Sequence, residues 1–155
     1  MLEFTNKWSD LIIKNSDKKE IILNKETFEV LLDWFDVTFP WEYEKSWILL
    51  EVKEYNEKLF YSFQNEWNHI VIITHDNFEL KEEILTFFWD VDILIIIWTK
   101  DAAKVFENIE AKMVIPFWEG KEIFLNTLWQ HKEEEESFKL KSELDWETTE
   151  FVNLK

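Results

Sequence analysis

The side chains able to do chemistry are few and scattered. His75-Asp76 follows the apolar run 69–74, and a neutral imidazole beside a carboxylate could hold a divalent ion. No third ligand accompanies it in the sequence, so the pair reads as a hydrogen-bonded strand end. His69 falls inside that run and His131 beside an acidic stretch, which makes both structural or solvated residues. Glu42 and Glu44 share one face if the chain is extended there, a spacing open to acid–base work. Carboxylates so spaced usually form only an exposed face. Ser9, Ser16, Ser46, Ser62, Ser137 and Ser142 lack the Gly-x-Ser-x-Gly context of an activated nucleophile. Gly120-Lys121 lacks the upstream glycine and the following Ser or Thr of a phosphate loop. No catalytic residue, cofactor-binding residue or metal ligand is therefore assigned, and no cofactor is expected.

Composition narrows the partners. The 155 residues carry a net charge of −16, from 33 acidic residues against 17 lysines, with no arginine. That charge excludes nucleic-acid phosphates and anionic membranes and leaves a basic protein or a second copy of the chain as partner. Without cysteine there are no disulfides, thiol nucleophiles or cysteine-based zinc sites. No run reaches the roughly 18 apolar residues of a membrane span, and the N-terminus is not that of a signal peptide. The expectation is one cytoplasmic domain over 1–155 with a single core, since 46% of residues are hydrophobic.

Ten tryptophans against one glycine is an abnormal ratio. Glycine normally supplies about 7% of residues because turns require positive φ. The two types together make up about that share here. Trp34 in Leu-Asp-Trp-Phe, Trp67 in Asn-Glu-Trp-Asn, Trp89 in Phe-Trp-Asp and Trp146 in Leu-Asp-Trp-Glu stand where Asp-Gly or Asn-Gly turns belong. Abundant Lys, Asn, Ile and Phe match an AT-rich coding sequence, and some bacterial lineages with such genomes read UGA as glycine. Most or all of Trp8, Trp34, Trp41, Trp47, Trp67, Trp89, Trp98, Trp118, Trp129 and Trp146 are accordingly expected to stand at glycine positions. A stacking platform for sugars or bases would repeat its aromatics at period two or 3.6, which these do not.

Patterning gives short strands at 2–4, 11–14, 20–23 and 36–39, the last stopped by Pro40, with 28–32 open between strand and helical turn. Residues 47–55 and 58–64 form a hairpin about Asn56-Glu57, and 69–74 follows the turn at 66–68. Beyond it, helical spacing over 80–88 precedes an apolar strand at 92–97. Next come a helix at 101–109 that Asp101 would cap, a strand at 113–115 ended by Pro116, and a helix at 121–128. Strands at 138–140 and 150–154 close the chain, and the charge run 132–136 reads as a solvated surface. The expected class is α/β, with an alternating β-α-β second half packed on a strand-rich antiparallel first half and helices outside.

With tryptophan read as glycine, 37–118 resembles the metallo-β-lactamase fold of small bacterial metal-dependent hydrolase-like proteins. The resemblance rests on Phe39-Pro40-Trp41-Glu42-Tyr43-Glu44, Trp89-Asp90-Val91-Asp92 with its apolar strand, Asp101-Ala102-Ala103-Lys104-Val105, and Ile109 through Pro116. It implies an αββα sandwich holding one or two metal ions, usually zinc, that activate water. The family's His-x-His-x-Asp-His signature is absent, and 23–39 leaves no room for its loop. Asp76 is a displaced counterpart of the bridging Asp, and the later histidine, falling near Phe117-Trp118, is missing. The resemblance thus implies a degenerate member without its metal centre, a binding or scaffold protein rather than a hydrolase. The alternative is an acidic inhibitor or mimic that docks on a basic protein.

Overall fold

The computed structural model describes residues 1–75, 78–99, 102–117, 120–127, 133–141, 143–144 and 147–155, with the backbone alone for 103, 124 and 127. Five strands open the chain: β1 (Leu2–Lys7), β2 (Asp10–Lys14), β3 (Glu20–Asn24), β4 (Val30–Leu32) and β5 (Phe35–Val37). Then come β6 (Glu42–Lys45), β7 (Ile48–Tyr55), β8 (Lys58–Asn65) and β9 (Asn68–Ile73). Helices enter afterwards: α1 (Glu82–Phe87), β10 (Ile93–Ile97), α2 (Ala102–Asn108), β11 (Met113–Phe117), α3 (Lys121–Thr127), β12 (Ser137–Leu140) and β13 (Glu150–Phe151).

Two sheets result. The first is antiparallel in the order β12-β1-β2-β3-β4-β5, and the second runs β13-β11-β10-β9-β8-β7-β6. In the second sheet β6 to β9 are antiparallel, while β9, β10, β11 and β13 are parallel. The layers therefore do not follow the halves of the sequence. First-half strands β6 to β9 build most of the second sheet, and late strand β12 closes the first against β1.

Alternation along each strand sends one set of side chains inward. Phe4, Ile13, Leu23 and Leu32 from the first sheet meet Leu50, Phe63, Ile72, Ile95 and Ile115 from the second. On the other face of the second sheet, Val71, Ile73, Leu94, Ile96 and Val114 lie under Ile84, Val105 and Leu125 of the three helices. Strand β10 is apolar at every position because both its faces are covered. On the outer face of the first sheet Glu3, Thr5, Ile12, Lys14 and Leu31 are only half-buried, while Ile22, between Ile12 and Leu31 in register, is buried. Among the described residues the helices thus cover one sheet, where an αββα arrangement would cover both.

Other expectations shift locally. Strand β5 stops at Val37 rather than 39, and exposed β6 was not anticipated, because its Glu-Tyr-Glu-Lys pattern carries little apolar signal. Pro116 lies inside β11 instead of ending it. The carbonyls of Lys112 and Val114 face β13 while that of Phe117 faces β10, so position 116 points away from β10. The β13 ladder stops at Val114↔Phe151, and the missing N–H breaks no ladder bond. Asp101, Leu128 and Lys132 lie outside the described residues; 133–136 of the charge run are exposed.

Four hairpins turn on two residues that both have positive φ: Asp33-Trp34 (45°, 67°), Ser46-Trp47 (56°, 66°), Asn56-Glu57 (51°, 62°) and Glu66-Trp67 (50°, 66°). That is the type I′ signature, which favours Asn-Gly or Asp-Gly. Trp47 is consequently a turn residue and not the first residue of a strand. Between β1 and β2, Trp8 has φ 61° as the first of two loop residues, where a type II′ turn takes glycine. Six of the seven described tryptophans are exposed, Trp98 being the buried one. Trp118, Trp129 and Trp146 lie outside the described residues.

Tyr61 sits in the core between the sheets, and burial, with the Asp36 carboxylate and Tyr43 adding, pushes its hydroxyl up to about 12. The unfolded chain ionises near pH 10, so between pH 10 and 12 it releases a proton that the folded chain retains. Stability then falls as pH rises, by on the order of 2 kcal/mol at most. Urea midpoints of the parent and Tyr61→Phe across that window test this, since the variant should lose that part of the decline.

Candidate functional site

In sheets with parallel strands, ligands gather beyond the carboxyl ends. Here β9, β10 and β11 run out toward the same rim as the β1–β2 turn and the loop after β3. A cleft of about 250 Å³ opens there between the sheets, lined among others by Asn6 of β1, Lys25 and Glu26 after β3, Phe117 of β11 and Lys121 of α3. A larger cleft, about 720 Å³, lies at the opposite end, where Asp92 and Lys112 line it. Asp92 is a structural anchor. It accepts the His69 backbone N–H at 2.8 Å and the Lys112 ammonium at 2.7 Å, which holds that ammonium above its ordinary range. The smaller cleft is therefore the better candidate.

His75 reaches the rim just past β9, half-buried, with its ring edge-on to Phe28 at 6.1 Å. Asp76, its expected partner, and His131 lie outside the described residues. His69 is the second residue of the same strand, and at about 3.3 Å per residue the two imidazoles stand about 20 Å apart. They cannot share an ion.

His69 instead joins a pair that sequence reading missed. Its Nε2 lies 2.5 Å from Ser62 Oγ and its Nδ1 lies 3.0 Å from the Asp90 carbonyl oxygen. The register Gln64↔His69 and Ser62↔Val71 makes Ser62 and His69 diagonal neighbours, a relation that the Glu66-Trp67 turn alone would have predicted. The contacts suit proton transfer, but Ser62 is buried and lines neither cleft. The group ties β8, β9 and the turn before β10 together. Glu42 and Glu44 lie exposed on edge strand β6, away from the rim, opposite Glu51 and Leu49.

Among the described residues that line the rim cleft, Lys25, Lys121 and Lys155 stand against Glu26, in a strongly acidic chain. Burial of Lys25, reinforced by the charge of Lys121, pushes its ammonium below the ordinary lysine range, against the opposing pull of Asp10 and Glu26. Lys121 donates to the Leu154 carbonyl at 2.6 Å and pairs with Glu134 at 3.3 Å. Asn6 Oδ1 is buried without a hydrogen-bond partner. Zinc needs three or four nitrogen, sulfur or carboxylate ligands. Among the described residues no three His, Cys, Asp or Glu converge to supply them. The described part of the rim, with one imidazole and the ammonium groups of Lys25, Lys121 and Lys155, does not fit zinc.

The two facing sheets, with parallel strands and helices on the outside of one, define an α/β sandwich of the metallo-β-lactamase type. The chain is similar in structure to a protein from Thermotoga maritima assigned to the metallo-β-lactamase superfamily as a zinc-dependent hydrolase, with a TM-score of 0.73 over 99% of each chain and 13% identity. Identity that low shows the fold alone. No family model matches the sequence. No curated protein matches it either. Among the described residues, no helix is long and apolar enough to cross a membrane.

Proposed function

We propose that this chain is a degenerate metallo-β-lactamase-fold protein, one cytoplasmic domain over 1–155, that has lost its metal centre and acts as a binding or scaffold protein. The observation that carries this reading is the replacement chemistry at the rim. Lys25 and Lys121 line the cleft where the resemblance would put metal ligands, and ammonium groups repel a metal cation. Zinc titration followed by exhaustive dialysis and elemental analysis tests it. The expected result is less than 0.1 zinc per chain (~0) and no hydrolysis of ester or phosphodiester probes. One tightly held zinc per chain (~1), with metal-dependent hydrolysis, overturns it.

Most or all of the tryptophans are, in the same reading, glycines of the native protein. Support comes from Trp8, Trp34, Trp47 and Trp67, each at the turn position with positive φ where glycine is preferred. Trp98 stands apart as the buried ring. The coding DNA and the intact mass of the natural protein decide the matter. UGA codons with a correspondingly lower mass support the reading, and a mass matching ten tryptophans ends it.

A further inference from the structure

We propose that the rim cleft binds a small organic carboxylate bearing an adjacent hydroxyl or amine, its carboxylate seated between Lys25 and Lys121 and its donor on Asn6 Oδ1. The proposal rests on the metal-free reading above and adds the class of ligand.

Three observations converge on one cavity. Lys25 follows β3 of the first sheet and Lys121 opens α3 after β11 of the second, yet both line the same cleft, and the Lys121 charge disfavours the Lys25 ammonium. Such an arrangement calls for an anion between them. No carboxylate among the described residues pairs directly with Lys25, although Asp10 and Glu26 are near enough to act on it through space. Asn6 then supplies a buried acceptor in the wall of the same cleft with no partner in the protein. An orphaned acceptor in a cavity is costly unless a ligand or solvent donor satisfies it.

A simple anion satisfies the lysines and leaves Asn6 Oδ1 unmet. A 2-hydroxy or 2-amino carboxylate satisfies all three. The cleft, at about 250 Å³, holds a molecule of that size. Glu26 on the wall and Glu134 beside Lys121 disfavour dianions, which points to a monocarboxylate over phosphate.

Glycolate, acetate and inorganic phosphate, titrated at low salt into the EDTA-treated chain and followed by amide chemical shifts, test this. Expected is saturable 1:1 binding (about one per chain) of glycolate, with acetate and phosphate each weaker by about tenfold or more. Lys25→Gln and Lys121→Gln should each weaken glycolate at least tenfold (~10-fold), with thermal midpoints near that of the parent. In the unmodified chain, Lys25 should be modified readily by an acylating reagent and protected by glycolate. This readout needs no variant. Absence of saturable glycolate binding, equal affinity for acetate, tighter binding of phosphate, or unchanged labelling of Lys25 overturns the proposal. Metal analysis of the same samples separates this failure from the other, because bound zinc that displaces glycolate would sink the metal-free reading itself.

Discussion

Replacing Trp8, Trp34, Trp47 and Trp67 together by glycine is expected to stabilise the chain by about 2–4 kcal/mol. Each of the four has φ between 61° and 67°, a region that costs a residue with a Cβ about 1–2 kcal/mol. Glycine removes that strain but frees the unfolded chain, which returns about 0.4–1 kcal/mol per site. The rings themselves give little back, since Trp8, Trp47 and Trp67 are 90% or more exposed and Trp34 is 75% exposed. The Asp33-Trp34 and Ser46-Trp47 turns touch, because Ser46 Oγ and Lys45 Nζ both donate to Asp33, so the gains at Trp34 and Trp47 are coupled while those at Trp8 and Trp67 should add. For a chain of this length the thermal midpoint should rise by roughly 5–15 °C. Trp41→Gly and Trp89→Gly are the controls: both rings are exposed, neither residue has positive φ, and neither change should stabilise. A lower midpoint for the fourfold variant would mean that the rings do something at those turns that backbone strain does not reveal.

Turn chemistry also explains what could be read from the sequence. Asn56-Glu57 and the turn at 66–68 set the register of β7, β8 and β9, so the hairpins and the buried run of β10 were legible. Local pattern could not say which sheet a strand joins. Strand β12 pairs with β1 across more than a hundred residues, and nothing in Ser137–Leu140 encodes that partner. Pro116 misled for a related reason, since its effect depends on whether a neighbour lies on its N–H side, a property of topology.

The cleft was illegible on the same grounds. Asn6, Lys25 and Lys121 form no motif. Each sits in an ordinary polar neighbourhood of the sequence, and they meet only because the β1–β2 turn, the loop after β3 and the end of β11 share one rim. The acidic composition concealed the cluster further, for a net charge of −16 says nothing about where two cations converge. His75-Asp76 drew attention because chemistry adjacent in sequence is easy to see, yet only one of the two lies in the described structure.

Trp98→Gly should act with the opposite sign, costing about 3–5 kcal/mol. Trp98 directly follows β10, is 6% exposed, and belongs to the cluster under the helices with Ala102, Val105 and Leu125. Deleting the ring removes its dispersion contacts and leaves a cavity that a close-packed neighbourhood fills only in part. The lone glycine of the chain supports this account. A Cβ on Gly120 would meet Trp98 Cδ1 at 2.6 Å and the Trp98 carbonyl oxygen at 2.8 Å. Gly120→Ala should therefore destabilise the parent by about 1–3 kcal/mol. In the Trp98→Gly background the ring is gone but the carbonyl remains, so the same change should still cost, by about 1 kcal/mol less. Urea denaturation of the two single variants and the double variant measures that coupling. A Trp98→Gly chain as stable as the parent would show the ring unpacked and would place Trp98 with the turn tryptophans. The expected loss places it with the core, and makes the sign of each single Trp→Gly change a site-by-site measure of which positions require glycine.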